Sequence, residues 1–150
     1  MLSGGSSAPS FTLPEVGGGE VTDPWSDGPV VLAFFKTSCP VCRMSAPVVQ
    51  AIADTGVRVV AIGEDPPKAL VAFAADEGLT VTTLSESEPY AVSSAYGLDT
   101  VPSLFLVDEA GLVRDAVVSW DRDEWNRFAV AAGGSEVSSE ADGRPPQRPG

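Results

Sequence analysis

The segment VVLAFFKTSCPVC, residues 30–42, joins a six-residue apolar run to two cysteines that are three positions apart. A continuous run of this length, rich in β-branched and aromatic residues, is typical of a strand buried on both faces. Residues 40–54 then carry apolar side chains at helical spacing, and Pro40 suits the first turn of a helix, where its missing N–H has no partner. The segment therefore predicts a strand that delivers Cys39 and Cys42 to the N-terminus of a helix.

The two cysteines in this position predict thiol–disulfide exchange. A thiol reacts as its thiolate, and the unpaired N–H groups and macrodipole of a helix N-terminus favour that anion. We expect Cys39 to be the N-cap and to attack the substrate, and Cys42, more buried, to resolve the mixed disulfide. The chain has no histidine, which removes the partner of Cys–His hydrolysis and leaves too few ligands for a zinc site. We therefore predict a redox dithiol with no metal and no bound cofactor.

Composition limits the expected partners and compartment. The chain has 150 residues, which suits a single domain, and a net charge of −12. Such an acidic surface repels phosphates and anionic headgroups, so neither nucleic acid nor a membrane surface is expected as a partner. No segment approaches the roughly 20 apolar residues of a membrane span, and residues 1–10 lack the features of a signal peptide. We expect a monomer that is cytoplasmic, or extracytoplasmic if a leader or anchor has been removed.

Patterning along the chain predicts one folded domain between two loose ends. Residues 1–9 are rich in glycine and serine and are predicted to be flexible, and residues 133–150 lack periodicity and are predicted to form a disordered tail. Residues 10–132 alternate strands and helices before a closing hairpin and helix, which predicts an α/β fold with a mixed central sheet and helices on both faces. The predicted elements are strands at 10–13, 30–35, 57–62, 103–107 and 112–118, a loose hairpin at 14–28, and helices at 40–54, 67–77, 88–96 and 121–132.

Three stretches of the sequence resemble the thioredoxin-like superfamily, and most closely its TlpA/ResA-like, redoxin-type branch. Residues 8–13 (APSFTL) are similar to the opening of that branch. Residues 34–43 (FFKTSCPVCR), followed by Pro47, resemble its active-site strand and kinked helix, and residues 96–108 (YGLDTVPSLFLVD) resemble the segment that carries its cis-proline. The resemblance covers about residues 8–132. It implies a thioredoxin-like fold and a thiol-disulfide oxidoreductase with antioxidant activity.

The resemblance also implies roles for residues around the dithiol. Pro102 would be cis and face the dithiol, and Pro102 and Val101 would present backbone groups to an extended substrate. Ser38, which replaces the tryptophan of most relatives, and Pro40 flank Cys39 and would lie beside the same substrate. The expected partners are thiols or disulfides of proteins or small molecules, and a redox partner that the sequence does not identify.

Other positions are expected to tune the reactivity of the thiols. Ala33 stands where many thioredoxins carry a buried acid that takes the proton of the resolving thiol. Lys36 would lower a thiol pKa if it pointed inward, and Glu64 or the neighbouring Asp65 would be a replacement base at the end of a buried strand. Val41, inside the cysteine motif, is expected to influence the redox potential.

Three alternative functions stay open at this level. A peroxiredoxin-like peroxidase would act through Cys39. The sequence departs from the Pro-x-x-x-Thr-x-x-Cys pattern of that class, because Leu32 and Lys36 occupy the proline and threonine positions and Thr37 lies one place off. A non-catalytic binding module would use the pocket near Pro102 for a partner, and a copper(I) or zinc carrier would use the two thiolates. The sequence does not indicate the direction of electron flow.

Overall fold

The computed structural model describes residues 1–149, which form a five-stranded sheet, a two-stranded hairpin and four α-helices. The strands are β1 (Thr12–Pro14), β2 (Glu20–Thr22), β3 (Val30–Phe35), β4 (Val59–Gly63), β5 (Thr82–Ser85), β6 (Ser103–Val107) and β7 (Val113–Val118). The helices are α1 (Pro40–Asp54), α2 (Pro67–Glu77), α3 (Ala91–Ala95) and α4 (Arg122–Ala131), with 3₁₀ turns at Pro24–Asp27 and Glu140–Asp142. No helix in this part of the chain is long and apolar enough to cross a membrane.

The central sheet is mixed, with strand order β5-β4-β3-β6-β7. β4 runs parallel to β3 and β5 parallel to β4, whereas β6 is antiparallel to β3 and β7 is antiparallel to β6. Each parallel step needs a crossover, and α1 and α2 supply the two crossovers. The predicted α/β fold with a mixed sheet is confirmed. Because β3 is the middle strand, the residues after it leave the centre of the sheet.

Side chains of β3 alternate between two cores, one on each face of the sheet. Val31, Ala33 and Phe35 pack in the core formed with α1, α2 and α4. Leu32 and Phe34 pack in the opposite core, which includes residues from β1 and α3. All six residues of β3 are buried, as the continuous apolar run predicts. Helices therefore lie on both faces of the sheet, as predicted.

The strand β5 is the one element of the sheet that the sequence analysis does not predict. It pairs parallel with β4 at the edge of the sheet, with Thr83 opposite Ala61 and Leu84 opposite Ile62. Its sequence, TTLS, is short and largely polar, so neither an apolar run nor an alternating pattern marks it. The predicted strand 57–62 is displaced to Val59–Gly63.

Residues 1–9, predicted to be flexible, follow the outer edge of the sheet in the structure. The Gly5 N–H donates to the Val113 carbonyl at 2.8 Å, and the Tyr96 hydroxyl donates to the Pro9 carbonyl at 2.9 Å. An edge strand offers unpaired N–H and C=O groups, which any neighbouring backbone can use. The amino-acid composition of residues 1–9, from which flexibility is predicted, gives no indication of this backbone pairing.

Residues 135–149, hereafter the C-terminal segment, fold back onto α4 and the loop before it. They make up most of the range 133–150 that composition predicts to be a disordered tail, and residue 150 lies outside the described residues. The Trp120 indole N–H donates to the Pro145 carbonyl at 2.7 Å. The Asn126 side chain, itself buried, donates to the Ser138 carbonyl at 2.8 Å and accepts from the Ser138 N–H at 3.0 Å. Buried polar anchors of this kind hold a segment of low hydropathy, and a compositional prediction of disorder does not detect them.

Candidate active site

Cys39 occupies the N-cap position of α1, as the sequence predicts. Its backbone is extended, with φ −92° and ψ 115°, and its sulfur accepts the backbone N–H of Cys42 at 3.2 Å. One unpaired N–H of the helix end is thereby directed at the sulfur, an arrangement that suits a thiolate. Both cysteines are free thiols. Within residues 1–149, no group of three or more His, Cys, Asp or Glu side chains is arranged to hold a metal ion.

Cys42 lies one turn into α1 and is only 2% exposed, whereas Cys39 is half-buried. Burial raises the pKa of the Cys42 thiol above its usual range, and the hydrogen bond with Cys39 raises it further. A hydrogen bond from the Lys36 backbone and the positive charge of Arg148 act in the opposite direction. The two thiols therefore differ in access and in environment, which suits different roles in a reaction.

A small cavity of about 10 Å³ lies beside Cys42, between β3 and α1. Ala33, Ser45 and Pro102 line it together with apolar side chains. The Ser45 hydroxyl donates to the Val41 carbonyl at 2.7 Å, so its proton is held by its own helix. This volume is at the lower limit for a single water molecule. No carboxylate among residues 1–149 lines the cavity, so the environment of the Cys42 thiol lacks an obvious proton acceptor.

The loop before β6 reaches the dithiol from the neighbouring strand. Ser103 pairs with Phe34, so the start of β6 lies at the same end of the sheet as the cysteines. The Val101–Pro102 peptide bond is cis, which confirms the expectation for this proline. The Val101 carbonyl oxygen lies 3.7 Å from the Cys39 sulfur. The cis-proline loop therefore forms one wall of the candidate active site.

Three further residues of the predicted site surround the Cys39 thiol. Ser38 and Pro40, on either side of it in the chain, are exposed. Val41 is half-buried and packs against the core that contains α1. Ser38 and Pro40 therefore form an exposed rim on either side of Cys39 in the chain, and Val41 packs the first turn of the helix against the core.

Lys36 is directed at Glu64 rather than at either thiol. The Lys36 ammonium lies 3.3 Å from the Glu64 carboxylate, and this hydrogen bond and charge raise the pKa of Lys36. The Asp65 carboxylate accepts the Thr37 N–H at 2.8 Å. Neither Glu64 nor Asp65 lines the cavity beside Cys42. The structure therefore does not bring these two candidate bases to the Cys42 thiol.

Arg148 is a residue of the site that the sequence analysis misses. Its guanidinium Nη1 donates to the Val101 carbonyl at 2.9 Å and lies 3.0 Å from the Ser119 hydroxyl oxygen. Arg148 and Val101 are 47 residues apart in the chain, and Arg148 belongs to the C-terminal segment. No local pattern signals a contact of this kind, because it depends on where a polar tail crosses the fold.

Comparison with known proteins places this fold and dithiol in a family. The model of the AhpC/TSA family matches residues 5–116, which include the active-site strand, both cysteines and the cis-proline loop. The chain belongs to the AhpC/TSA family. The matched range ends within β7, so α4 and the C-terminal segment lie outside it.

Relatives of this AhpC/TSA chain are thiol redox proteins. It is 32% identical over 120 residues to the thiol-disulfide oxidoreductase ResA of Geobacillus thermodenitrificans, covering 75% of this chain and 68% of that protein. It is 30% identical over 129 residues to a Mycobacterium tuberculosis protein named as a candidate peroxiredoxin, covering 75% and 82%. The structure of a candidate thiol:disulfide interchange protein DsbE from Chlorobium tepidum superimposes with a TM-score of 0.77 and 26% identity, covering 89% of this chain and 100% of that one. The protein is therefore a thioredoxin-fold oxidoreductase of the TlpA/ResA-like type.

Proposed function

We propose that this protein is a thiol-disulfide oxidoreductase that exchanges electrons with its substrates through Cys39 and Cys42. The observation that carries the proposal is the asymmetry of the pair: Cys39 is half-buried at the N-cap of α1, and Cys42 is buried one turn behind it. The cis-proline loop, with Val101 and Pro102, stands beside both thiols. This arrangement gives one thiol that meets a substrate and one that is shielded from it.

The exchange proceeds through a mixed disulfide. In the reducing direction the Cys39 thiolate attacks a substrate disulfide, so a bond forms between Cys39 and one substrate sulfur while the substrate disulfide breaks and its other sulfur leaves as a thiolate. Cys42 then loses its proton and attacks the Cys39 sulfur, which forms the Cys39–Cys42 disulfide and releases the second substrate thiol. The substrate gains two electrons and the dithiol loses them. The oxidising direction is the reverse of these steps.

The substrate would lie across the exposed rim of the dithiol. Ser38 and Pro40 form one side of this rim, and the Val101–Pro102 loop forms the other. The backbone groups of this loop would pair with an extended substrate, because they stand next to the sulfur that must reach the substrate disulfide. The proposed substrates are accordingly thiols and disulfides of proteins or small molecules that present an exposed sulfur.

Residues near the pair would set the balance between dithiol and disulfide. Lys36 and Glu64 form an ion pair on the wall of a cleft that also contains Val101, and Val41 fixes the first turn of α1. Redox potentials in this fold range from about −270 to −120 mV, so modest changes in thiolate stability alter the preferred direction. We propose Lys36, Val41 and Glu64 as tuning residues.

The decisive experiment equilibrates the protein in a series of glutathione redox buffers, traps free thiols and determines the mass. We expect one reversible two-electron transition that is lost in Cys39→Ser and in Cys42→Ser, with Cys42→Ser accumulating a mixed disulfide at Cys39. A potential near −270 mV would assign a reductase and one near −120 mV an oxidant. If no intramolecular disulfide forms in any buffer, the proposal is wrong.

A peroxidase is the second candidate, because one relative is named as a candidate peroxiredoxin. In that reaction the Cys39 thiolate attacks hydrogen peroxide, which yields a sulfenic acid and hydroxide, and Cys42 then condenses with the sulfenic acid to give the disulfide and water. Against this function, Leu32 and Lys36 occupy the positions where a peroxiredoxin carries its proline and threonine. Stoichiometric trapping of sulfenic acid at Cys39 in Cys42→Ser, with rapid peroxide consumption by the parent protein, would favour this function instead.

A further inference from the structure

The C-terminal segment is held against the active-site end of the molecule by several contacts. The Arg144 side chain donates to the Met44 carbonyl of α1 at 2.9 Å. The Arg148 N–H donates to the Trp120 carbonyl at 2.9 Å, in the loop between β7 and α4. The segment therefore bridges α1 and that loop, and Arg148 is directed by its own backbone pairing.

These contacts place the Arg148 guanidinium beside the Val101 carbonyl, which also contacts the Cys39 thiol. The Val101 oxygen is 2.9 Å from Arg148 Nη1 and 3.7 Å from the Cys39 sulfur. Arg148 also contacts the hydroxyl of Ser119 at 3.0 Å, so two neutral oxygens hold the guanidinium in place. Because one carbonyl is shared, the positive charge lies close to the dithiol and on the wall formed by the cis-proline loop.

Other cations near this end of the molecule are neutralised by carboxylates. Lys36 pairs with Glu64, and Arg43 pairs with Asp76 and Glu77. For Arg148, no carboxylate of residues 1–149 lies within ion-pair distance. Within residues 1–149, Arg148 thus differs from Lys36 and Arg43, which each lie beside a carboxylate.

A nearby positive charge would favour the thiolate form of Cys42, which burial disfavours. Besides the Ser45 hydroxyl, which is held by its own helix, the groups that face Cys42 are the Cys39 sulfur, the backbone of Lys36 and the charge of Arg148. No carboxylate of residues 1–149 lines the adjoining cavity. Burial raises the pKa of Cys42, and the charge of Arg148, whose side chain is exposed, lowers it to a smaller extent. Arg148 thus acts against the burial that hinders the second step of exchange.

We propose that Arg148 is a positioning residue of the dithiol site, which fixes the Val101 carbonyl and places a positive charge where Cys42 becomes an anion to resolve the mixed disulfide. This inference rests on the proposed function. It assigns to the C-terminal segment a part in the chemistry. Arg148 supplies charge without taking up the proton, which passes to solvent or to the leaving thiolate.

The test uses the uncharged probe 4,4′-dithiodipyridine, because a neutral probe is not steered by the charge of Arg148. Attack by Cys39 releases one thiopyridone and forms a mixed disulfide, and resolution by Cys42 releases the second. Stopped-flow absorbance over a range of pH therefore separates the two steps. In the parent protein we expect the second phase to accelerate as pH rises, because the pKa of Cys42 is raised.

In Arg148→Gln we expect the second phase to slow by up to about twofold near neutral pH, and its pH profile to move upward by up to about half a unit, because solvent screens the exposed charge of Arg148. The loss of rate is smaller than the loss of thiolate because a more basic thiolate is a better nucleophile. Arg148→Lys should restore the profile, since it keeps the charge. Arg114→Gln is the matched control: it removes the same charge from an exposed ion pair beside the distant β6–β7 turn and should behave as the parent.

Three results would overturn the proposal: an unchanged second phase in Arg148→Gln, a profile that Arg148→Lys does not restore, or a faster second phase. The last result would mean that the segment obstructs the site instead of assisting it. The amount of thiopyridone that the parent protein releases tests the proposed function separately. Release of only one thiopyridone by the parent would overturn both proposals. Two phases whose rates are the same in the parent and in Arg148→Gln would overturn this one alone.

Discussion

Ala33 and Cys42 line the same cavity, so the side chain at position 33 forms part of the surroundings of the Cys42 thiol. Ala33 is 3% exposed on β3, and its methyl group contributes no proton acceptor to a space that holds at most about one water molecule. A buried thiol without a nearby base must give its proton to a group that reaches it during the reaction. We therefore expect the residue at position 33 to influence how easily Cys42 becomes a thiolate.

Ala33→Asp should accelerate resolution, because a buried carboxyl has a raised pKa and can accept the Cys42 proton near neutral pH. We expect the second phase of thiopyridone release to become about tenfold faster. Ala33→Asn is the matched control, since it has the same shape and adds no base. Equal rates in the two variants would show that the proton of Cys42 leaves by another route.

The same substitution has a stability cost that depends on pH. We expect both variants to lose about 1–3 kcal/mol in urea unfolding, because a polar group enters a nearly filled cavity. The pKa of the introduced carboxyl is raised in the folded variant above its unfolded value, so the folded state binds the proton more tightly. Relative to Ala33→Asn, the stability of Ala33→Asp should therefore fall as pH rises from about 4 to 7.

Residue-level prediction from sequence succeeded where the signal is local. The N-cap position of Cys39 and the burial of Cys42 follow from a strand, a spacing and a proline that are contiguous in the chain. The cis geometry at Pro102 followed from resemblance rather than from composition. Arg148 could not be found in this way, because its contact with Val101 joins a polar tail to a loop 47 residues away.

At the level of elements, the helix α4 shows how a short signal specifies a boundary. Asp121, the first residue of the predicted helix 121–132, has Glu124 three residues later, the spacing of a capping box, and its carboxylate accepts the Glu124 N–H at 3.0 Å. The strand β5 shows the opposite case. Thr82–Ser85 becomes a strand because β4 presents a free edge to it, so tertiary pairing overrides a local sequence with no strand pattern.

Asp121→Ala should destabilise the protein by about 1 kcal/mol, because an N–H at the start of α4 loses its acceptor. Urea unfolding, monitored by the fluorescence of Trp120 and Trp125, measures the loss. Asp123→Ala is the control: it removes an acidic residue from the same first turn, and so the same favourable interaction with the helix dipole, without removing the cap. A cost no larger than that of the control would mean that the cap contributes nothing.

For the whole molecule, the two ends of the chain complete a fold that the central sheet leaves unfinished. The first residues cover the edge of β7, and the C-terminal segment covers one end of α4 and the loop before it. Arg122 is 8% exposed and donates to the Arg144 carbonyl at 2.6 Å, and Trp120 is 2% exposed beneath Pro145. These contacts make residues 135–149 a part of the packed structure, although their composition alone predicts a tail.

Deletion of residues 135–150 tests whether the C-terminal segment is packed against the fold or is a disordered tail. If the segment packs as described, Trp120 becomes exposed and the side chains of Arg122 and Asn126 lose their acceptors, at a combined cost of about 2–4 kcal/mol. We expect a lower urea midpoint and a red-shifted tryptophan emission, whereas deletion of residues 149–150 alone should leave both unchanged. Equal stability and emission for the two truncated chains would show that the segment is disordered in solution. In that case Arg148 would have no fixed place beside Val101, so the same measurement also tests the structural basis for its action on Cys42.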